Sequence, residues 1–194
     1  IIVKYDTSGN IIWKKNYGGS SSDYYYKITE VTDGYVAIGS SSSTNGDLTG
    51  LNKGNDDAII VKYDTSGNII WKKNYGGSNS DRYYGIIELT DGYVVVGASD
   101  STDGDLTGLN KGSQDAIIVK YDTLGNIIWK KNYGGSNSEY YIDITEVTDG
   151  YVAVGSSSST NGDLTGLNKG NGDAIIVRYD TVGNIICKKN YDGS

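Results

Sequence analysis

The sequence predicts an all-β protein made of β-propeller blades, each a small sheet of four antiparallel strands, and three observations predict it. The same text restarts at Ile1, Ile59, Ile117 and Ile175, and 59−1, 117−59 and 175−117 all give 58 residues. Within each copy apolar and polar residues alternate with the period of a strand, β-branched and aromatic residues fill the alternating runs, and no 3.6-residue apolar stripe is present. Gly, Asp and Asn punctuate those runs at hairpin spacing. A fixed period of this size marks solenoids, propellers or arrays, in which one unit cannot bury its apolar face without a neighbour.

The organising stretch runs from Asp57 to Ser78 and recurs from Asp115 and Asp173. Ile59, Val61 and Tyr63 alternate with Ile60, Lys62 and Asp64 as a strand. Asp64-Thr65-Ser66-Gly67-Asn68 supplies a tight turn, and Ile69, Trp71, Lys73 and Tyr75 alternate with Ile70, Lys72 and Asn74 to complete a hairpin. After Gly76-Gly77-Ser78, the runs Tyr83 to Leu89 and Tyr93 to Ala98 flank Thr90-Asp91-Gly92 as a second hairpin. Ser99 to Gln114 is polar and Gly-rich and reads as loop. Removing about 14 loop residues leaves roughly 44, the size of a four-stranded blade.

The pattern Asp-Ala-Ile-Ile-Val-Lys-Tyr-Asp-x-x-Gly-Asn-Ile-Ile-Trp-x-Lys-x-Tyr-Gly-Gly-Ser, followed by Thr-Asp-Gly-Tyr-Val-x-x-Gly and Gly-Asp-Leu-Thr-Gly, resembles the bacterial β-propeller repeats of large secreted and surface proteins. The resemblance covers the whole chain and implies a secreted or cell-surface setting, with no catalytic motif to carry over. It also implies that the Thr-Asp-Gly hairpin forms the inner strands a and b, and the Asp57 hairpin the outer strands c and d. The chain then reads as a single repeat array: a half blade over 1–22 (strands c-d) and blades over 23–78, 81–136 and 139–194, an incomplete ring of about three and a half blades. Propellers close with about four to eight blades. Closure therefore calls for further blades from a parent chain or for a homo-oligomer, and a chain that opens inside a repeat and contains no Met reads as a segment of a longer parent.

Composition narrows the function classes. With 17 basic and 24 acidic residues, no His, a net charge of −7 and a pI near 4.5, the chain has no basic footprint for nucleic acid. No apolar run of about 18 residues predicts a membrane span. The single cysteine, Cys187, occupies the slot held by Trp13, Trp71 and Trp129 in the other copies, and so reads as a packing substitution. A serine triad is excluded for want of His, and carboxylates that repeat in every copy, such as Glu88 with Asp91, favour structure over glycoside chemistry. The expectation is a non-enzymatic interaction or adhesion scaffold, with a multivalent carbohydrate-binding propeller as the alternative and a minor glycosidase or lyase activity behind both.

Strand alternation places the long loops on one face, which is the expected binding face. The copies differ most at the start of strand a, where Tyr24 and Tyr25, Arg82 and Tyr83, and Tyr140 and Tyr141 form a candidate patch for a protein or glycan ligand; aromatic fill between blades is the alternative. Asn45 and Asp47, Asp103 and Asp105, and Asn161 and Asp163 offer oxygen ligands for calcium, although they lack EF-hand spacing and also suit ordinary turns. Asp57, Asp115 and Asp173 are expected to cap loop amides, and the Lys-Lys pairs to be solvated charges on the outer strand.

Overall fold

A computed structural model describes residues 1–169 and 172–191. Among the described residues fourteen strands form four sheets. β1 (Ile2–Tyr5) and β2 (Ile11–Lys15) make a two-stranded half blade. β3 (Asp23–Val31), β4 (Gly34–Ser41), β5 (Asp57–Asp64) and β6 (Ile69–Tyr75) make the first full sheet. β7 (Asp81–Leu89), β8 (Gly92–Ser99), β9 (Asp115–Asp122) and β10 (Ile127–Tyr133) make the second, and β11 (Glu139–Val147), β12 (Gly150–Ser157), β13 (Asp173–Asp180) and β14 (Ile185–Tyr191) the third. Every pairing within a sheet is antiparallel between consecutive strands.

The apolar cores lie between sheets rather than within one. Val36, Ile38, Ala58, Ile60 and Tyr75 of the first sheet pack against Tyr83, Tyr93, Val95, Ile117 and Val119 of the second. Ala37, Ile59, Val61 and Tyr63 on the opposite face pack toward the half blade, against Tyr17 and Ile2. Both faces of strand c are therefore dry, which is why Ala58 to Val61 is a continuous apolar run. At the far end of the array the same strand has one open face: Ile175 and Val177 are buried, whereas Ile176 is 39% exposed, against 0% for Ile60 and Ile118.

The inner strands converge. β3 and β11 belong to sheets two apart, yet Lys27 Nζ reaches Asp143 Oδ1 at 2.5 Å. Gly85, the equivalent residue between them, makes room: a Cβ there would lie 2.9 Å from the Asp143 Cα. Such convergence is the curvature of propeller blades about an axis, and the architecture is that of an incomplete β-propeller.

Neighbouring blades are latched at their outer edge. Trp13, Trp71 and Trp129 each donate Nε1–H to the carbonyl of Thr65, Thr123 and Thr181 in the next c-d turn, at 3.1, 3.1 and 3.3 Å. Each indole also covers the turn glycine, Gly67, Gly125 or Gly183, all at positive φ. The turn itself is built by Asp64, whose Oδ1 accepts from the Ser66 and Asn68 amides at 2.9 and 2.8 Å. Cys187 is exposed, without the cross-blade turn that the tryptophans cover.

The polar excursion contains more order than its composition suggests. A single 3-10 turn spans Gly46–Leu48, Gly104–Leu106 and Gly162–Leu164, and its leucine is fully buried each time. The Lys-Lys pairs also differ from the expectation of free solvated charges. Lys72, Lys130 and Lys188 donate to the carbonyls of Asp47, Asp105 and Asp163, tying the outer strand to the loop.

Candidate functional site

At the start of strand a the six candidate residues separate by side. Tyr83 and Tyr141 are buried between blades, where their hydroxyls share hydrogen bonds with Tyr121 and Tyr179 at 2.8 and 2.7 Å. Tyr25 makes the equivalent contact with Tyr63 at 2.7 Å in a half-buried setting. Burial pushes all of these phenols well above their ordinary pKa, so they remain neutral donors at any physiological pH. Tyr24, Arg82 and Tyr140 instead turn toward solvent.

A β-bulge follows, where Tyr25 pairs with Gly39 but Lys27 pairs with Ile38, and it leaves Tyr26 as the extra residue. The same shift occurs at Tyr84 and Ile142. Tyr26 stacks on Tyr24 with ring centroids 6.2 Å apart and meets Tyr84 of the next blade at 5.4 Å. Arg82 is held by Asp56, Nη2 to Oδ2 at 2.7 Å. Arg82, Tyr84, Gln114, Tyr140 and Ile142 line a shallow recess of about 300 Å³. Tyr26, Tyr84 and Ile142 belong to the same variable stretches at the start of strand a, Tyr24 to Lys27, Arg82 to Gly85 and Tyr140 to Asp143, and the bulge leaves them partly or fully open to solvent beside the candidate residues.

A larger groove of about 570 Å³ opens on the opposite end, among the a-b turns, rather than on the long-loop face. Asp33, Lys62, Glu88, Tyr93 and Glu146 contribute to it. Asp33, Lys62 and Glu88 are already engaged. The buried Lys62 pairs with Asp33 at 2.9 Å and lies 5.9 Å from the centroid of the Tyr93 ring, while Glu88 Oε1 accepts from the Thr32 amide at 3.2 Å. Lys120 with Asp91 and Arg178 with Asp149 repeat the ion pair. The Thr-Asp-Gly carboxylates thus anchor a cation from strand c of the same sheet.

The acidic loops bind the chain to itself. Asn45, Asp103 and Asn161 accept from the amides of Ser20, Ser78 and Ser136 at 2.8, 2.7 and 2.8 Å. Asp47, Asp105 and Asp163 accept from Gly18, Gly76 and Gly134 at 3.1, 3.1 and 3.0 Å, and the latter two also take Lys53 and Lys111. Among the described residues no group of three or more His, Cys, Asp or Glu side chains converges as a metal centre.

Asp57, Asp115 and Asp173 cap loop amides, accepting through Oδ2 from Lys53, Lys111 and Lys169 at 2.9 Å in each case. Burial pushes Asp57 and Asp115 up to about 6, with Asp81 and Glu139 respectively adding like-charge repulsion. Serines serve these buried acids: Ser101 donates to Asp81 at 2.8 Å and Ser157 to Glu139 at 2.9 Å, so their hydroxyls act as donors to carboxylates in the frame of the fold.

No protein-family model matches the chain. The chain is 22% identical over 202 residues to the regulatory protein FlaEY of Caulobacter vibrioides, an alignment that takes in 95% of this chain and 19% of that protein. It thus spans about a fifth of the length of that curated relative. A mutant of the Synechocystis apocarotenoid oxygenase aligns in structure with a TM-score of 0.47 at 15% identity, covering 96% of this chain and 43% of that one.

Proposed function

We propose that this propeller segment is a non-enzymatic interaction scaffold in a secreted or cell-surface bacterial protein. The observation that carries the reading is the inner-strand surface. Tyr24, Tyr26, Arg82, Tyr84, Tyr140 and Ile142 differ between copies, lie side by side on neighbouring blades and are open to solvent in part or in full. Tyr and Arg are effective contact residues because they combine large area with directional polar groups. The absence of enzymatic activity is part of the proposal and is supported by chemistry: the chain has no His, the carboxylates at the Asp57 position of each copy cap loop amides, and those at the Asp33 position are held in ion pairs.

The stacked tyrosines favour a second reading, a carbohydrate-binding surface whose neighbouring sites add avidity. A glycan array probed with the chain distinguishes the two. Saturable, sugar-specific binding supports the lectin, and capture of a protein partner without any sugar signal supports the scaffold. In either case the triple variant Y24S/R82S/Y140S retains its melting temperature and loses binding. Loss of fold stability with no separable binding effect would sink the patch.

The scaffold reading extends to blade completion. Ile1 and Tyr5 are 75% and 56% exposed, whereas Ile59 and Tyr63, in the same six-residue text, are each 1% exposed beneath neighbours. Further blades, from the parent chain or from a second copy, would cover this edge. Light scattering on the isolated chain is expected to show association, and a stable, fully cooperative monomer would contradict it.

A further inference from the structure

The half blade presents a strand edge that the other copies of the same text keep covered. In the three complete sheets strand c lies between strands b and d, and the b-c register is the same each time, Gly34↔Asp64 to Ser41↔Asp57, Gly92↔Asp122 to Ser99↔Asp115 and Gly150↔Asp180 to Ser157↔Asp173. β1 carries strand c of the first copy but pairs with β2 alone. Its second edge is a row of backbone donors and acceptors with no neighbouring strand among the described residues, a template for strand addition.

Three side chains around that edge lack what their counterparts have. Lys62, Lys120 and Arg178 each pair with the aspartate of the Thr-Asp-Gly turn in their own sheet. Lys4 occupies the same repeat position and lies 5.4 Å from the centroid of the Tyr35 ring, as Lys62 lies by Tyr93, but it has no carboxylate partner among the described residues. Tyr63, Tyr121 and Tyr179 share hydroxyl hydrogen bonds with the strand a tyrosines Tyr25, Tyr83 and Tyr141, whereas Tyr5 is exposed. Ile28 of β3 is 45% exposed, against 3% and 5% for Ile86 and Ile144 at the same position of strand a. Those two pack against complete blades, Ile86 in one core with Val36 and Ile38 of the preceding strand b. Recesses of about 310 and 260 Å³ lie between β1 and β3, with Val3 and Ile28 in both, Ile1 and Tyr25 in the first and Lys4 and Tyr35 in the second.

We propose that this edge is a docking site for an a-b hairpin of a further repeat, which lays its strand b along β1 in the register of the complete blades. The proposal rests on the scaffold reading and names the element that completes it. What is missing defines the occupant: a strand b for the backbone of β1, a Thr-Asp-Gly aspartate for Lys4, a strand a tyrosine for Tyr5 and apolar cover for Ile28. A folded second copy of this chain does not offer such a hairpin, because β3-β4, β7-β8 and β11-β12 are each already joined to a strand c. Charge and register together make the site selective, since a hairpin slipped by one residue turns its apolar face away from Ile28.

The test adds a labelled peptide of this chain's own Asp81–Ser99 hairpin to the purified full chain. Isolated two-stranded hairpins are marginal in water, so the peptide is used in backbone-cyclised form. It is expected to bind saturably at one per chain in fluorescence anisotropy and to raise hydrogen-exchange protection across Ile2–Tyr5. K4E, whose melting temperature without peptide reports that it is folded, is expected to weaken binding by about tenfold, and the D91K form of the peptide to recover it by restoring opposite charges. Absence of saturable binding, binding that leaves Ile2–Tyr5 unprotected, or equal affinity for the parent chain and K4E would each overturn the inference. The scaffold reading is judged separately, because ligand binding that Y24S/R82S/Y140S abolishes would stand even if the hairpin failed to dock.

Discussion

Gly125 shows how much one residue can carry. Its φ of +77° is a conformation that side chains with a Cβ rarely adopt, and an added Cβ would meet the Trp71 ring at 3.0 Å. The variant G125A is expected to lose roughly 1–3 kcal/mol in denaturant unfolding, because strain and the displaced tryptophan add. A second residue-scale consequence concerns pH. Asp57 and Asp115 bind protons more tightly in the fold, at about 6, than at their ordinary value of 3.8, so their contribution is full at acid pH and is lost as pH rises through about 6. Asp64 and Asp122 have the opposite sign: turn hydrogen bonds from Asn68 and Asn126 hold them below the ordinary value, and their contribution is lost as pH falls. The melting temperature is therefore expected to rise from neutral pH to about pH 5 and to fall again at stronger acid. D57N/D115N should flatten the first limb, and a monotonic fall from neutral pH in the parent chain would contradict the sign. Residue roles were only half legible in the sequence. Alternation separates Tyr24 from Tyr25, but it does not say which side is dry, because that depends on a neighbouring blade.

The strands themselves were legible because period two and turn chemistry are local. Asp64, Gly67 and Asn68 specify their turn through hydrogen bonds within five residues. The buried leucine of the Gly-Asp-Leu turn was not, since a lone apolar residue in a polar loop has no period to read. The energetic meaning of a strand also depends on its place in the array. Ile118 and Ile176 occupy the same repeat position, yet the first is buried between two blades and the second is 39% exposed. Ile118→Ala is expected to cost about 2–4 kcal/mol and Ile176→Ala under about 1 kcal/mol in equilibrium unfolding. Equal costs would mean that the cores do not lie between blades.

For the whole molecule, the 58-residue period was sufficient to give the number of strands and their grouping into blades, because each repeat is one supersecondary unit. Specialisation among the copies was not legible. Lys27, Gly85 and Asp143 look like neutral drift at one repeat position, but in the fold they form an ion pair reaching over a glycine near the axis. Near-identical modules held only by their neighbours should differ in stability according to how many neighbours they have. Hydrogen exchange resolved on the four copies of strand c, Ile1 to Asp6, Ile59 to Asp64, Ile117 to Asp122 and Ile175 to Asp180, measures this with sequence almost constant. Protection is expected to be highest and similar in the two central copies, lower in the fourth and lowest in the first. Equal protection in all four would show that each module folds by itself and would contradict the interdependence of the blades.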